Sequence, residues 1–139
     1  MFETLSVLTL QLARVYGLAI IVLALAALAA PARMGAAIAD FERSPGLTLV
    51  TAIFTFFLGL ALVVAHNHWT DLAAGLVSLM GWVILIKALL LLAAPAGLLK
   101  FGAGASSSPA RVRLWGVIVL ILGAIFLAFG LLGRAAVTL

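Results

Sequence analysis

The chain has no cysteine and only four acidic residues, Glu3, Asp40, Glu42 and Asp71. Without cysteine there is neither a disulfide framework nor a thiolate metal site. All four carboxylates fall in tails or connections, so no carboxylate pair for general acid–base work lies inside an apolar segment. There is no phosphate-cradling Gly-Lys loop and no H-E-x-x-H helix. Ser106–Ser108 belong to a Gly/Ser-rich stretch rather than a nucleophile elbow. These absences lead us to expect a non-enzymatic protein with no catalytic residues, no metal and no cofactor.

What is present is apolar. Of 139 residues, 67% are hydrophobic and 9% charged, with a mean hydropathy of +1.40. A soluble domain of this size leaves much of its surface wet and has no means of hiding so much apolar area. The class is therefore an integral membrane protein, in contact with the lipid bilayer. The net charge of +4 reads as a topology signal rather than a nucleic-acid footprint.

Four apolar segments reach the roughly 20 residues that a membrane-crossing helix needs. They run over about 5–30, 47–65, 72–94 and 114–132. Within them the only charges are Arg14 and Lys87. In lipid each backbone N–H and C=O must be satisfied internally, so these segments are helices. Pro31 and Pro95 stop the first and third. The connection 32–46 holds Arg33, Asp40, Glu42 and Arg43, with an amphipathic interfacial turn expected around residues 36–41. The connection 96–113 is Gly/Ser-rich at 102–108 and is expected to be mobile.

The segments echo one another at a spacing of 64 residues. Leu28-Ala29-Ala30-Pro31-Ala32 recurs as Leu92-Ala93-Ala94-Pro95-Ala96, Ser44-Pro45 as Ser108-Pro109, and Leu58-Gly59 as Leu122-Gly123. Residues 17–66 match 81–130 at 14 of 50 positions without a gap. Ala/Leu-rich sequence inflates such a count, so the glycines and prolines in register weigh most. The expected architecture is an all-α, four-helix membrane protein built as two tandem, parallel helical-hairpin repeats, about 12–66 and 76–130, in a single transmembrane domain (1–139). Arg14, the apolar run after it and Ala-Ala-Pro-Ala also have the look of a signal peptide. The recurrence of the same motif at 92–96 leads us to expect that the segment is retained.

The connections 32–46 and 96–113 carry five Lys/Arg, against Arg134 alone in the tails and none in the turn His66–Asp71. The positive-inside rule then places both connections in the cytoplasm, and the termini and the His66–Asp71 turn outside.

Lys87 is the sharpest candidate. It lies eight residues before Pro95, about 12 Å along a helix, at a depth where charge is costly and usually faces a bundle interior or a wet cavity. Thr55 lies at similar depth and is a candidate hydrogen-bond partner. The plainer reading is a lysine whose stem snorkels to the interface. His66-Asn67-His68-Trp69 is the second cluster. It reads either as a polar turn, with Trp69 anchored at headgroup level, or as a ligand or partner contact. A metal site using His66, His68 and Asp71 is the weakest reading, since two histidines without a longer spacing pattern specify little. Trp82 is expected to pack against a neighbouring helix, and Trp115 to anchor at the interface. Gly116, Gly123 and Gly130, spaced by seven, with Gly59, form small-residue stripes that bring helices close, inside the bundle or between copies.

The run His66-Asn67-His68-Trp69, then Gly81-Trp82 with Lys87 five residues on, then Pro95, resembles a group of small, uncharacterised bacterial integral membrane proteins. They have an H-N-x-W turn and a G-W-x-x-x-x-K third helix. Ala88 stands where that pattern leads one to expect glycine. The resemblance implies four-helix topology and a bacterial inner-membrane location, with Lys87 and the His66–Trp69 turn as parts of the pattern. The function expected is an accessory, scaffold or subunit role beside another membrane protein or a second copy. The alternative is a small oligomeric transporter or channel for a polar or anionic solute with Lys87 in its pathway.

Overall fold

All four prolines of the chain occupy the first turn of a helix, and they set its punctuation. A proline removes the N–H that would continue the preceding helix, yet its fixed φ suits the start of the next. In the computed structural model, which describes residues 3–4 and 7–135, this yields six helices. They are α1 (Val7–Ala29), α2 (Pro31–Arg43), α3 (Pro45–Ala65), α4 (Leu72–Ala93), α5 (Pro95–Ala105) and α6 (Pro109–Leu132). A two-residue parallel pair, β1 (Glu3–Thr4) with β2 (Arg134–Ala135), joins the two ends of the chain.

Four helices, α1, α3, α4 and α6, are long and apolar enough to cross a membrane, as expected from the sequence. Residues 5 and 6, included in the first expected span, lie outside the described residues. The connections differ from expectation. Both are helical rather than turn or mobile loop, because Pro31 and Pro95 start helices as well as stopping them. Ala30 (φ −139°, ψ 68°) and Ala94 (φ −147°, ψ 65°) form the one-residue corners, pushed out of the helical region by the proline that follows. On α2, Met34, Ile38 and Phe41 are half-buried while Arg33, Asp40, Glu42 and Arg43 are exposed. The serines of the expected mobile stretch instead satisfy the end of α5: Ser106 Oγ donates to Gly102 O at 2.7 Å and Ser107 Oγ to Gly104 O at 3.0 Å. α6 also begins earlier than expected, because Ser108 caps it, its Oγ accepting from Arg111 N at 3.2 Å. Ser44 caps α3 in the same way through Leu47 N.

The spans pair tightly as α1 with α6 and α3 with α4, and α1 and α4 join the two pairs. At one end of the bundle lie the α1 N-terminus, the 66–71 turn and the α6 C-terminus; α2 and α5 lie at the other. The main core cluster includes Ala13, Tyr16, Ala73, Val77, Phe126 and Phe129, where α1, α4 and α6 meet. Tyr16 and Phe126 meet edge to face at 5.8 Å.

Glycine sets the closeness of the pairs. A Cβ on Gly17 would come within 2.5 Å of the Leu127 backbone nitrogen, and one on Gly59 within 2.7 Å of Leu85 Cα. Backbone has no rotamer with which to give way. Gly59→Val is therefore expected to destabilise the protein by about 1–3 kcal/mol through overpacking. Gly97→Ala on α5, where nothing lies within 4 Å, is expected to be neutral or to gain about 0.5–1 kcal/mol. Thermal unfolding in detergent followed by circular dichroism compares the two; equal melting temperatures would refute the packing account.

Candidate functional site

The 66–71 turn is fixed by its helix ends. α3 stops at Ala65, and the His66 N–H still donates to Leu62 O at 2.8 Å. Asp71 starts α4 as its N-cap, its Oδ1 accepting from Ala74 N at 2.8 Å. Between these anchors the His66 side chain folds into the bundle and is only 1% exposed.

There His66 joins three helices. Its Nε2 lies 2.7 Å from Thr9 Oγ1 on α1, and its Nδ1 2.9 Å from Ser78 Oγ on α4. Ser78 Oγ also donates to His68 O at 2.8 Å and accepts from His68 N at 2.9 Å. Since that hydroxyl proton is committed to His68 O, the proton between His66 and Ser78 belongs to Nδ1. Nε2 is then the acceptor, and Thr9 Oγ1 donates to it. The result is a one-way relay, from Thr9 through His66 and Ser78 to the His68 carbonyl, with the imidazole neutral. Burial first, and the nearby His68 second, push the His66 pKa below 6.5; a backbone hydrogen bond and Asp71 oppose them.

Asn67 faces outward and acts as a clip. Its Oδ1 accepts from Trp69 Nε1 at 2.9 Å and from Trp82 Nε1 at 3.1 Å. Trp82 thus does more than pack: its indole N–H holds the turn onto α4. His68 is exposed and meets the His66 ring edge to face at 5.1 Å.

The metal reading of this turn meets a chemical obstacle. Both His66 nitrogens are engaged by Thr9 and Ser78, and one Asp71 oxygen caps α4. Among the described residues no group of three His, Asp or Glu side chains is placed to hold a metal ion.

Arg14 has a partner the sequence did not disclose. Its Nε donates to Gly130 O at 2.7 Å, placing a cation on a carbonyl near the C-terminus of α6. A Cβ on Gly130 would lie 2.6 Å from Arg14 Cγ, so glycine there makes room for this cap. Gly123 faces Ile21 and Gly116 faces Leu28. The α6 stripe therefore packs against α1 within the chain.

Lys87 stands apart from the turn. It is exposed on a groove between α1, α2 and α6, with no hydrogen bond or ion pair among the described residues. Thr55 is half-buried on α3 and does not bond it. The residues that sequence reasoning missed are Thr9 and Ser78. Ser78 follows His66 by 12 residues across one turn, a legible signal; Thr9, 57 residues away, offered none.

Thr9→Val, which leaves the buried His66 Nε2 without its donor, is expected to cost about 1–3 kcal/mol. His66→Ala, which removes two hydrogen bonds and leaves a cavity, is expected to cost about 2–4 kcal/mol. Because the folded state holds His66 neutral, its contribution is full above pH 6.5 and is lost as the pH falls from there through the lower folded pKa. Melting temperatures between pH 7.5 and 5 should decline in the parent and decline less in His66→Gln; parallel curves would refute the assignment.

Comparison with protein-family models, with curated proteins and with solved structures finds no match to this chain.

Proposed function

We propose that the protein is a non-enzymatic accessory or scaffold subunit of a membrane assembly, built from two parallel copies of a long helix–short helix–long helix unit. The observation that carries the functional reading is the use of its buried polar groups. Thr9, Thr48, His66 and Ser78 are buried polar side chains among the described residues. Each joins one element to another: three form the relay, and Thr48 Oγ1 donates to Phe41 O at 2.8 Å. The chemistry inside the bundle is structural. Its outer faces are apolar, most of all α3, which packs chiefly on α4 and presents Phe54 (74% exposed), Phe57 and Val64 (79%) away from it. That face suits the side of another membrane protein or a second copy.

The duplication is supported by paired contacts. Gly59 meets Leu85 and Gly123 meets Ile21; Gly17 meets Leu127 and Gly81 meets Val63. A shift of 64 residues interchanges the members of each pair. The same shift relates the Arg14–Gly130 and Ser78–His66 contacts. Two copies related by an axis along the bundle would give this pattern. The lysines and arginines concentrated near α2 and α5 favour a cytoplasmic position for that end and an outer position for the 66–71 turn, and the resemblance noted above favours a bacterial inner membrane.

Extraction of the tagged protein at native expression in a mild detergent, followed by mass determination, tests the accessory reading. A stoichiometric second membrane protein, lost on Phe54→Ala/Phe57→Ala, is expected. A lone monomer would reject the reading. A homo-oligomer alone would shift weight to solute transport, which the unpaired Lys87 favours and in which Lys87→Met would abolish flux.

A further inference from the structure

We infer that the groove holding Lys87 is a binding site for one anionic glycerophospholipid, with the phosphate on Lys87 and an acyl chain along α1 and α6. The groove has a volume of about 440 Å³. Its walls are apolar: Leu23 and Ala27 come from α1, Met34 from α2, and Trp115 and Val119 from α6. Leu23 (61% exposed) and Trp115 (40%) are open to the surroundings of the bundle, so on a membrane-spanning chain the groove faces lipid.

Lys87 lies six residues before the end of α4 at Ala93, about 9 Å along the helix. Its ammonium has no partner among the described residues. None of the four spans contains an Asp or Glu, so a second copy packed span to span would bring no carboxylate to it either. An unneutralised cation at that depth is costly, and the counter-anion must be one that reaches it from the bilayer.

Charge complementarity favours an anionic headgroup over a zwitterionic one. A second groove of about 360 Å³ adjoins the first, sharing Ala105 and Trp115, and is lined by Lys100 and Arg111. Three cations thus border one continuous surface, and no Asp or Glu lines it. Lys100 and Arg111 flank the headgroup region, Lys87 lies on the α4 side, and the apolar wall runs down α1 and α6. A hydrated inorganic anion would use the cations but leave that wall uncovered; a phospholipid covers both. This inference is independent of the accessory reading, since neither a partner nor an assembly enters it.

The test uses full-length protein with Trp69→Phe and Trp82→Phe, which leaves Trp115 as the sole tryptophan, in phosphatidylcholine vesicles. Brominated phosphatidylglycerol and brominated phosphatidylcholine are compared as quenchers. One lysine–headgroup pair is expected to give the anionic lipid an apparent preference of about fivefold. Lys87→Met should abolish that preference and Lys87→Arg retain it, with helicity unchanged in both. Native mass spectrometry of the unsubstituted protein, counting retained phosphatidylglycerol, provides a readout independent of the tryptophan changes. Equal quenching by the two lipids, or a preference that survives in Lys87→Met, would overturn the inference. So would full competition by millimolar inorganic phosphate, which would assign the site to a soluble anion. Trp115 shielded from both lipids in a dimer would assign the groove to a second copy.

Discussion

Helices in a bilayer gain little from hiding apolar side chains from one another, because lipid is as apolar as leucine. What remains is close contact, and in this protein closeness depends on glycine. Gly17, Gly123 and Gly130 let α1 and α6 approach backbone to backbone, and Gly59 does the same for α3 and α4. Other features inherit that spacing. Arg14 reaches a carbonyl of α6 because Gly130 has no side chain in the way. The Tyr16–Phe126 contact sits on the same seam.

Polar contacts then fix which ends meet. At the 66–71 end the relay from Thr9 to the His68 carbonyl ties α1 to α4 through the residue that ends α3. These bonds are shielded, and leaving any one donor or acceptor unmet there would be expensive. The imidazole suits this place because in one tautomer it accepts from one side and donates to the other. It does so only while neutral, which couples the integrity of this end to pH.

The opposite end is built differently. Prolines turn the chain sharply into α2 and α5, whose basic residues stay exposed while their apolar sides lean on the spans. The groove between these helices and α1 and α6 holds Lys87, a deep cation that the fold leaves without a hydrogen-bond partner among the described residues. Arg14 and Lys87 are both cations inside apolar segments, yet their roles diverge. Arg14 meets a helix C-terminus, whereas Lys87 meets an opening. The difference lies in what faces each residue across the bundle.

The four spans and the proline boundaries were legible in the amino-acid order, because hydropathy and length decide whether a helix can cross a bilayer, and proline acts on its own neighbours. The glycine stripes were legible as seams, since seven-residue spacing keeps them on one face. The helical form of the two connections was not legible, because a proline that stops one helix suits the first turn of the next equally well. The partners were not legible. That Gly123 meets Ile21, that His66 lies between Thr9 and Ser78, and that Trp82 reaches Asn67 depend on which helices become neighbours. Local sequence determined where helices start, stop and turn apolar, because those choices are made within a few residues. Only the tertiary structure decided which polar groups are consumed in holding the bundle and which are left open, because that depends on contacts between residues as much as 116 positions apart.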